Sequence, residues 1–229
     1  MTAATAAPAT PHALSDELWA AGADVYQQIL DHPFLTELTT GDLAPDRFRY
    51  YIVQDGHYLR QYAKALTTLA GRAPDNAATS LFAGQAASAI PAELSKQEEL
   101  IAQLGAAEGG DDAPSPTTIG YTSFVLSAVH AGTFAEGVAA VLPCYWLYWA
   151  AADALANNSS PNPQYAAWID TYTSADFTTS VRSVLELTDR LAEAVTTAER
   201  DRMRDYYRTA ARFEWMFWDA AYRMERWPV

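Results

Sequence analysis

The chain has 229 residues and a mass of 25.0 kDa, room for one good-sized domain, since domains commonly run about 100–200 residues. Half of it is hydrophobic, enough to close a packed core, and 28 acidic against 15 basic residues give a formal net charge of −13. That charge repels nucleic-acid phosphates and anionic membrane surfaces, so neither is expected as a partner.

The opening residues, MTAATAAPATPHA, have neither a basic start nor an apolar stretch, so residues 1–14 read as a frayed tail and not as a secretory signal. The single cysteine, Cys144, excludes an intrachain disulfide and fits a reducing compartment; the expected location is cytoplasmic. Apolar residues then recur at three- and four-residue intervals, and Ala is the commonest residue, which predicts an all-α chain forming one domain over 15–229. Helices are expected at 15–31, 45–71, 77–104, 117–131, 134–156, 163–173, 175–195 and 197–226. The breaks fall at His32-Pro33, Thr39 to Pro45, Ala73-Pro74-Asp75, Ala106 to Pro116 and Asn157 to Pro163, where Pro, Gly, Asn and Ser cluster. Gly109-Gly110-Asp111-Asp112 is a short polar connection. The uncharged run Gly137 to Ala152 has 16 residues, below the roughly 20 of a spanning helix, and suits a buried core helix that Pro143 should kink.

Three places stand out chemically. In the helix over 45–71, Tyr51, Asp55, Tyr58 and Tyr62 follow one another by four, three and four residues and so share one stripe. A carboxylate on an aromatic stripe needs a partner, so Asp55 either meets a polar ligand, bonds a buried Tyr hydroxyl, or sits at the surface edge. His57 points about 200° around the helix from it and is expected to be exposed. In the last helix Glu214 stands within Arg212-Phe213-Glu214-Trp215-Met216-Phe217-Trp218 and shares a stripe with Phe217 and Ala221. Burial there would raise its pKa toward the range useful for proton transfer; the alternative is a surface pair with Arg212 or Arg223. Cys144 follows Pro143, and a free Cys is commonly a small core residue. With Tyr121, Tyr148 and Tyr172 it could instead line a cavity between helices, where bundles bind ligands. The histidines at 12, 32, 57 and 130 are scattered and none follows a Glu by three, so no metal site and no cofactor is expected. There is no Gly-x-Ser-x-Gly elbow and no phosphate-cradling glycine loop.

Five motifs in order carry a resemblance: Tyr50-Tyr51-Ile52-Val53-Gln54-Asp55-Gly56-His57-Tyr58-Leu59, Tyr121-Thr122-Ser123, Leu142-Pro143-Cys144-Tyr145-Trp146-Leu147-Tyr148, Trp168-Ile169-Asp170-Thr171-Tyr172, and Glu214-Trp215-Met216-Phe217-Trp218-Asp219-Ala220-Ala221-Tyr222. Together they resemble the TenA family, also called thiaminase II, in its cysteine-bearing branch, from about His32 to Trp227. The resemblance implies the haem-oxygenase-like helical bundle, usually assembled as a homotetramer. It also implies hydrolysis of aminopyrimidines in thiamin salvage, turning 4-amino-5-aminomethyl-2-methylpyrimidine into the 5-hydroxymethyl compound and ammonia, with thiamin a slower substrate. By the same likeness Cys144 is the nucleophile, Glu214 the proton-transferring carboxylate and Asp55 the pyrimidine-binding carboxylate. Tyr58, Tyr121, Tyr148, Tyr172 and Phe217 match positions lining the pocket. Thr117-Thr118-Ile119-Gly120 departs from the family, where an aromatic often precedes Tyr121, and this bears on substrate preference. Three rivals remain: a member that binds a pyrimidine or another planar ligand without hydrolysis, a haem- or quinone-binding oxygenase, and a purely structural helical oligomer.

Overall fold

In a computed structural model the described residues are 13–104, 112–156 and 159–229. The expected tail up to residue 12, with His12, and parts of two expected breaks, 106–111 and 157–158, lie outside the described residues. The helices are α1 (Leu14–Leu30), α2 (Pro33–Thr40), α3 (Pro45–Arg72), α4 (Asn76–Gly84), α5 (Ile90–Leu104), α6 (Pro116–Ala131), α7 (Phe134–Ala156), α8 (Pro163–Thr173), α9 (Ala175–Leu191) and α10 (Thr197–Arg223). No strand occurs among the described residues, as the three- and four-residue spacing predicts.

Local chemistry fixes most of the boundaries. Pro33, Pro45, Pro116 and Pro163 each stand in the first turn, where a missing N–H costs no helical bond. Side chains of Asp75, Ser115, Asn162, Ser174 and Thr196 accept from the first-turn amides of α4, α6, α8, α9 and α10.

Two elements differ from expectation. α2 occupies a stretch that reads as two breaks with little between them; its eight residues are framed by the His32 cap, whose Nδ1 accepts from the Phe34 amide, and by Gly41, whose φ of 83° closes the helix in the left-handed region. The segment expected as one helix over 77–104 is α4, a π-helical turn at Gln85–Ala89, and α5. The Ile90 N–H reaches back five residues to the Gln85 carbonyl, and Pro91 follows directly. A regular helix would drive the Pro91 ring into the carbonyl four residues back, and the wider turn removes that clash.

α7 runs through the middle, packed against α3, α6, α8, α9 and α10. Ala135 to Pro143 are buried without interruption, which only a helix enclosed on every side allows. By length and composition alone α7, with 23 residues, could cross a membrane, yet 61% of its most apolar window is buried inside the bundle. The sequence reading of a core helix holds, over a longer span than its uncharged run. Pro143 lies inside continuous helix, and close by the Tyr62 hydroxyl donates to the Val141 carbonyl at 2.8 Å. At the periphery, Arg200 and Arg204 bracket Glu17, and Arg208 pairs with Asp24, fastening α10 to α1.

Candidate active site

A cavity of about 260 Å³ opens between α3, α5, α7, α8 and α9. Asp55 and Tyr62 of α3, Glu93 of α5, Cys144 and Tyr148 of α7, and Tyr172 of α8 face it. The long stripe of α3 delivers Asp55 and Tyr62 two turns apart, and the uninterrupted burial of α7 carries its only thiol to the same wall. Cys144 remains partly exposed, as a residue on a cavity wall should.

Glu214 lies alongside, only 2% exposed, accepting a 2.6 Å hydrogen bond from the Tyr121 hydroxyl. Tyr62 on the cavity wall stacks on Tyr58 at 5.3 Å, and Tyr58 in turn packs on Tyr121 at 4.8 Å and Phe217 at 5.9 Å. Asp55, Cys144, Tyr148 and Tyr172 thus line the cavity, while Glu214, Tyr58, Tyr121 and Phe217 form the layer behind it. All eight residues suggested by sequence meet in one region.

The electrostatics are those of acids held out of water. Burial raises the Glu214 pKa to about 8, against a smaller lowering by the Tyr121 bond. Asp55 is 4% exposed, and burial together with the charges of Glu93 and Glu214 pushes its carboxyl well above the usual range. Its partner is the Gln97 side-chain amide, which donates to Oδ2, so it is neither a surface residue nor bonded to a tyrosine. Arg223 pairs with Asp219 instead of Glu214, and Arg212 is exposed. The Cys144 thiol is pushed up by burial and by the Glu214 charge, with the Tyr58 hydroxyl pulling the other way. At neutral pH the site therefore favours a neutral thiol and a protonated Glu214. Tyr58 and Tyr145 bury their hydroxyls beside the Cys144 thiol and beside Tyr62, respectively.

Glu93, Gln97 and Tyr145 are site residues that the sequence reading passes over. The Tyr172 hydroxyl donates to Glu93 Oε1 at 2.7 Å. Gly56 lets α5 come close: a Cβ there would stand 3.3 Å from both Gln97 Oε1 and Arg60 Nη1. His57 is half-buried, not exposed, because its Nε2 lies 2.6 Å from the Asp112 carbonyl oxygen where the chain returns to α6. Among the described residues no three His, Cys, Asp or Glu side chains are disposed to hold a metal ion.

Comparison with known proteins bears on the family and the fold. The thiamine biosynthesis multifunctional protein ThiED of Corynebacterium efficiens is 40% identical over 220 residues; the match takes in 95% of this chain, which spans 29% of that longer protein. The aminopyrimidine aminohydrolase of Bacillus subtilis is 36% identical over 215 residues, 93% of this chain and 91% of the relative. Among solved structures, a TenA homologue from P. horikoshii superposes with a TM-score of 0.83 at 25% identity over 92% of this chain and 99% of the other. A Shewanella denitrificans domain with a haem-oxygenase-like fold superposes at 0.69 and 16% identity over 94% of each chain, so the bundle has the expected fold. The profile of the TENA/THI-4/PQQC family matches residues 19–224, and the chain belongs to that family.

Proposed function

We propose that this chain is an aminopyrimidine aminohydrolase of the thiaminase II type, hydrolysing 4-amino-5-aminomethyl-2-methylpyrimidine to the 5-hydroxymethyl compound and ammonia in thiamin salvage. The observation that carries the reading is the presence of the sole thiol and Asp55 on one aromatic cavity wall with Glu214 buried beside them. The names of the B. subtilis and C. efficiens relatives support it.

An amine on a methylene attached to an aromatic ring is a poor leaving group, and attack by Cys144 Sγ on the adjacent ring carbon breaks the aromaticity that holds it. The site favours a charge-neutral route. Protonated Glu214 gives its proton to a ring nitrogen and, as carboxylate, takes the thiol proton while the C–S bond forms. Electrons returning from the ring break the exocyclic C–N bond, and ammonia leaves from the protonated amine. Water adds to the resulting methylene, and its surplus proton passes to the released ammonia, which departs as ammonium. The C–S bond then breaks, the ring nitrogen gives its proton to the leaving sulfur, and the ring becomes aromatic again with Glu214 protonated as at the start. Asp55 accepts from the ring amino group and sets the register, and the rings of Tyr148 and Tyr172 hold the plane. Thiamin presents the same pyrimidine arm with a bulkier leaving group and would be the slower substrate.

The test is ammonia release from the aminomethylpyrimidine. The wild type should turn over, Cys144→Ala should fall to background, and Glu214→Gln should lose roughly 100-fold or more in kcat. A wild type no faster than Cys144→Ala overturns the reading in favour of a ligand-binding member of the fold.

A further inference from the structure

Resting on the hydrolase reading, we propose that Gln97 is a positioning residue for substrate recognition: its side-chain amide holds the Asp55 carboxyl in the orientation in which that acid receives the ring amino group. Asp55 lines the catalytic cavity and also a hollow of about 350 Å³ on its far side, whereas Gln97 borders the hollow and not the catalytic cavity. Gln97 therefore meets the acid from behind and does not touch the pyrimidine. Its Nε2 donates to Asp55 Oδ2. A bond on one oxygen restrains rotation of the carboxyl group, and Gln97 leaves the other oxygen, Oδ1, for the ligand. The same bond favours the charged, accepting form of Asp55, against the burial and the charges of Glu93 and Glu214 that oppose it.

The bonding pattern of the amide separates this role from that of a structural staple. Gln54, the residue before Asp55 and only 2% exposed, ties α3 to the start of α6 with both ends of its side chain. Its Nε2 donates to the Ala113 carbonyl at 3.0 Å, and its Oε1 accepts from the Ser115 amide at 2.9 Å and the Thr118 hydroxyl at 2.7 Å. Gln97 is 7% exposed, and its Oε1 has no hydrogen-bond partner among the described residues. A buried amide with one end unanswered weakens a fold, so stability does not account for a polar side chain at this place. What the side chain supplies is a donor to Asp55. The two helices are shaped to admit it. Gly56 stands next to Asp55 on α3, and a Cβ there would lie 3.3 Å from Gln97 Oε1, tighter than an ordinary contact. One turn further along, Arg60 of α3 pairs with Glu98 of α5 at 3.7 Å and bridges the same two helices at the surface.

The experiment measures binding in the Cys144→Ala background, where turnover does not intervene. The two ligands are 4-amino-5-aminomethyl-2-methylpyrimidine and 5-aminomethyl-2-methylpyrimidine, which lacks the ring amino group. Gln97→Met keeps the length of the side chain and removes the donor; Gln97→Glu keeps the shape and carries the test should the methionine variant fail to fold. Either change should weaken binding of the amino compound roughly 10-fold and leave the other compound nearly unaffected. Added to Asp55→Ala, the same change should weaken binding no further, because the two residues act as one unit. A general loosening of the bundle would instead weaken both ligands alike and add to the effect of Asp55→Ala. Equal weakening of the two ligands, no weakening of either, or full additivity with Asp55→Ala overturns the assignment. Ammonia release separates the two claims: a wild type that releases none defeats the hydrolase reading, whereas a wild type that turns over, with a Gln97→Met variant of unchanged KM, defeats only the role of Gln97.

Discussion

Glu214 illustrates how one buried acid can govern both reactivity and stability. Its pKa of about 8 lies far above the 4.5 of an ordinary glutamate, because the surrounding rings exclude the water that would solvate its charge. Between those two values the folded chain retains a proton that the unfolded chain has released. Stability attributable to this group is therefore full below pH 4.5 and declines as pH rises through 8, by up to about 1.4 kcal/mol per pH unit. Glutamine at this position has no proton to lose. Denaturant melts at several pH values should show Glu214→Gln gaining stability relative to wild type between about pH 5 and 8 and levelling beyond. A parallel pair of curves would place the Glu214 pKa near its ordinary value. Asp55 and Glu214 were legible in the sequence because each is an acid inside a run of aromatic residues, a conflict visible within one or two helical turns. Glu93 and Gln97 present no such conflict: Glu93, Lys96, Glu98 and Glu99 make that stretch look like a solvated surface.

At the scale of elements, α5 matters most, because the π-helical turn before it sets which of its faces meets α3. A periodicity of 3.6 cannot anticipate such a turn, and Pro91 marks only that something in the helix must yield. Gly56 is the counterpart on α3, allowing the two backbones to approach where Gln97 reaches Asp55. Gly56→Ala should gain about 1 kcal/mol of helix propensity and lose a comparable amount to crowding against Gln97 and Arg60, leaving the melting temperature nearly unchanged. Displacing Gln97 frees Asp55, so KM for the pyrimidine should rise several-fold while kcat changes less. Steady-state kinetics beside a thermal melt check this, and an unaltered KM would mean that Gln97 does not hold Asp55 for binding. The unforeseen α2 has a related origin, since eight residues between two breaks contain too few periods to register as a helix.

For the molecule as a whole, helix starts were the most legible feature, since Pro45, Pro116 and Pro163 and the capping side chains act within a few residues of themselves. What local signals do not carry is which helix faces which, and the cavity depends on that. Assembly is a further step. Ile119 on α6 and Met216 on α10 are 42% and 41% exposed, apolar surface of the kind that a homotetramer of the sort implied by the family likeness would cover. Light scattering should give about four times the 25.0 kDa chain mass, and Ile119→Arg with Met216→Glu should lower it. A wild-type particle of one chain mass would rule the assembly out.

The aromatic layer has an optical consequence. Tyr148 and Tyr172 on the cavity wall lie 5.0 Å apart, Tyr172 lies 4.9 Å from Trp168, and Trp168 lies 5.5 Å from Trp218, which stacks on Tyr51 at 4.9 Å with the rings only 8° from parallel. Excitation energy deposited on these tyrosines is close enough to migrate to the indoles. A heterocycle bound in the cavity against Tyr148 and Tyr172 would intercept that traffic, so the protein carries its own lamp for reporting, without any attached dye, when the chamber is filled.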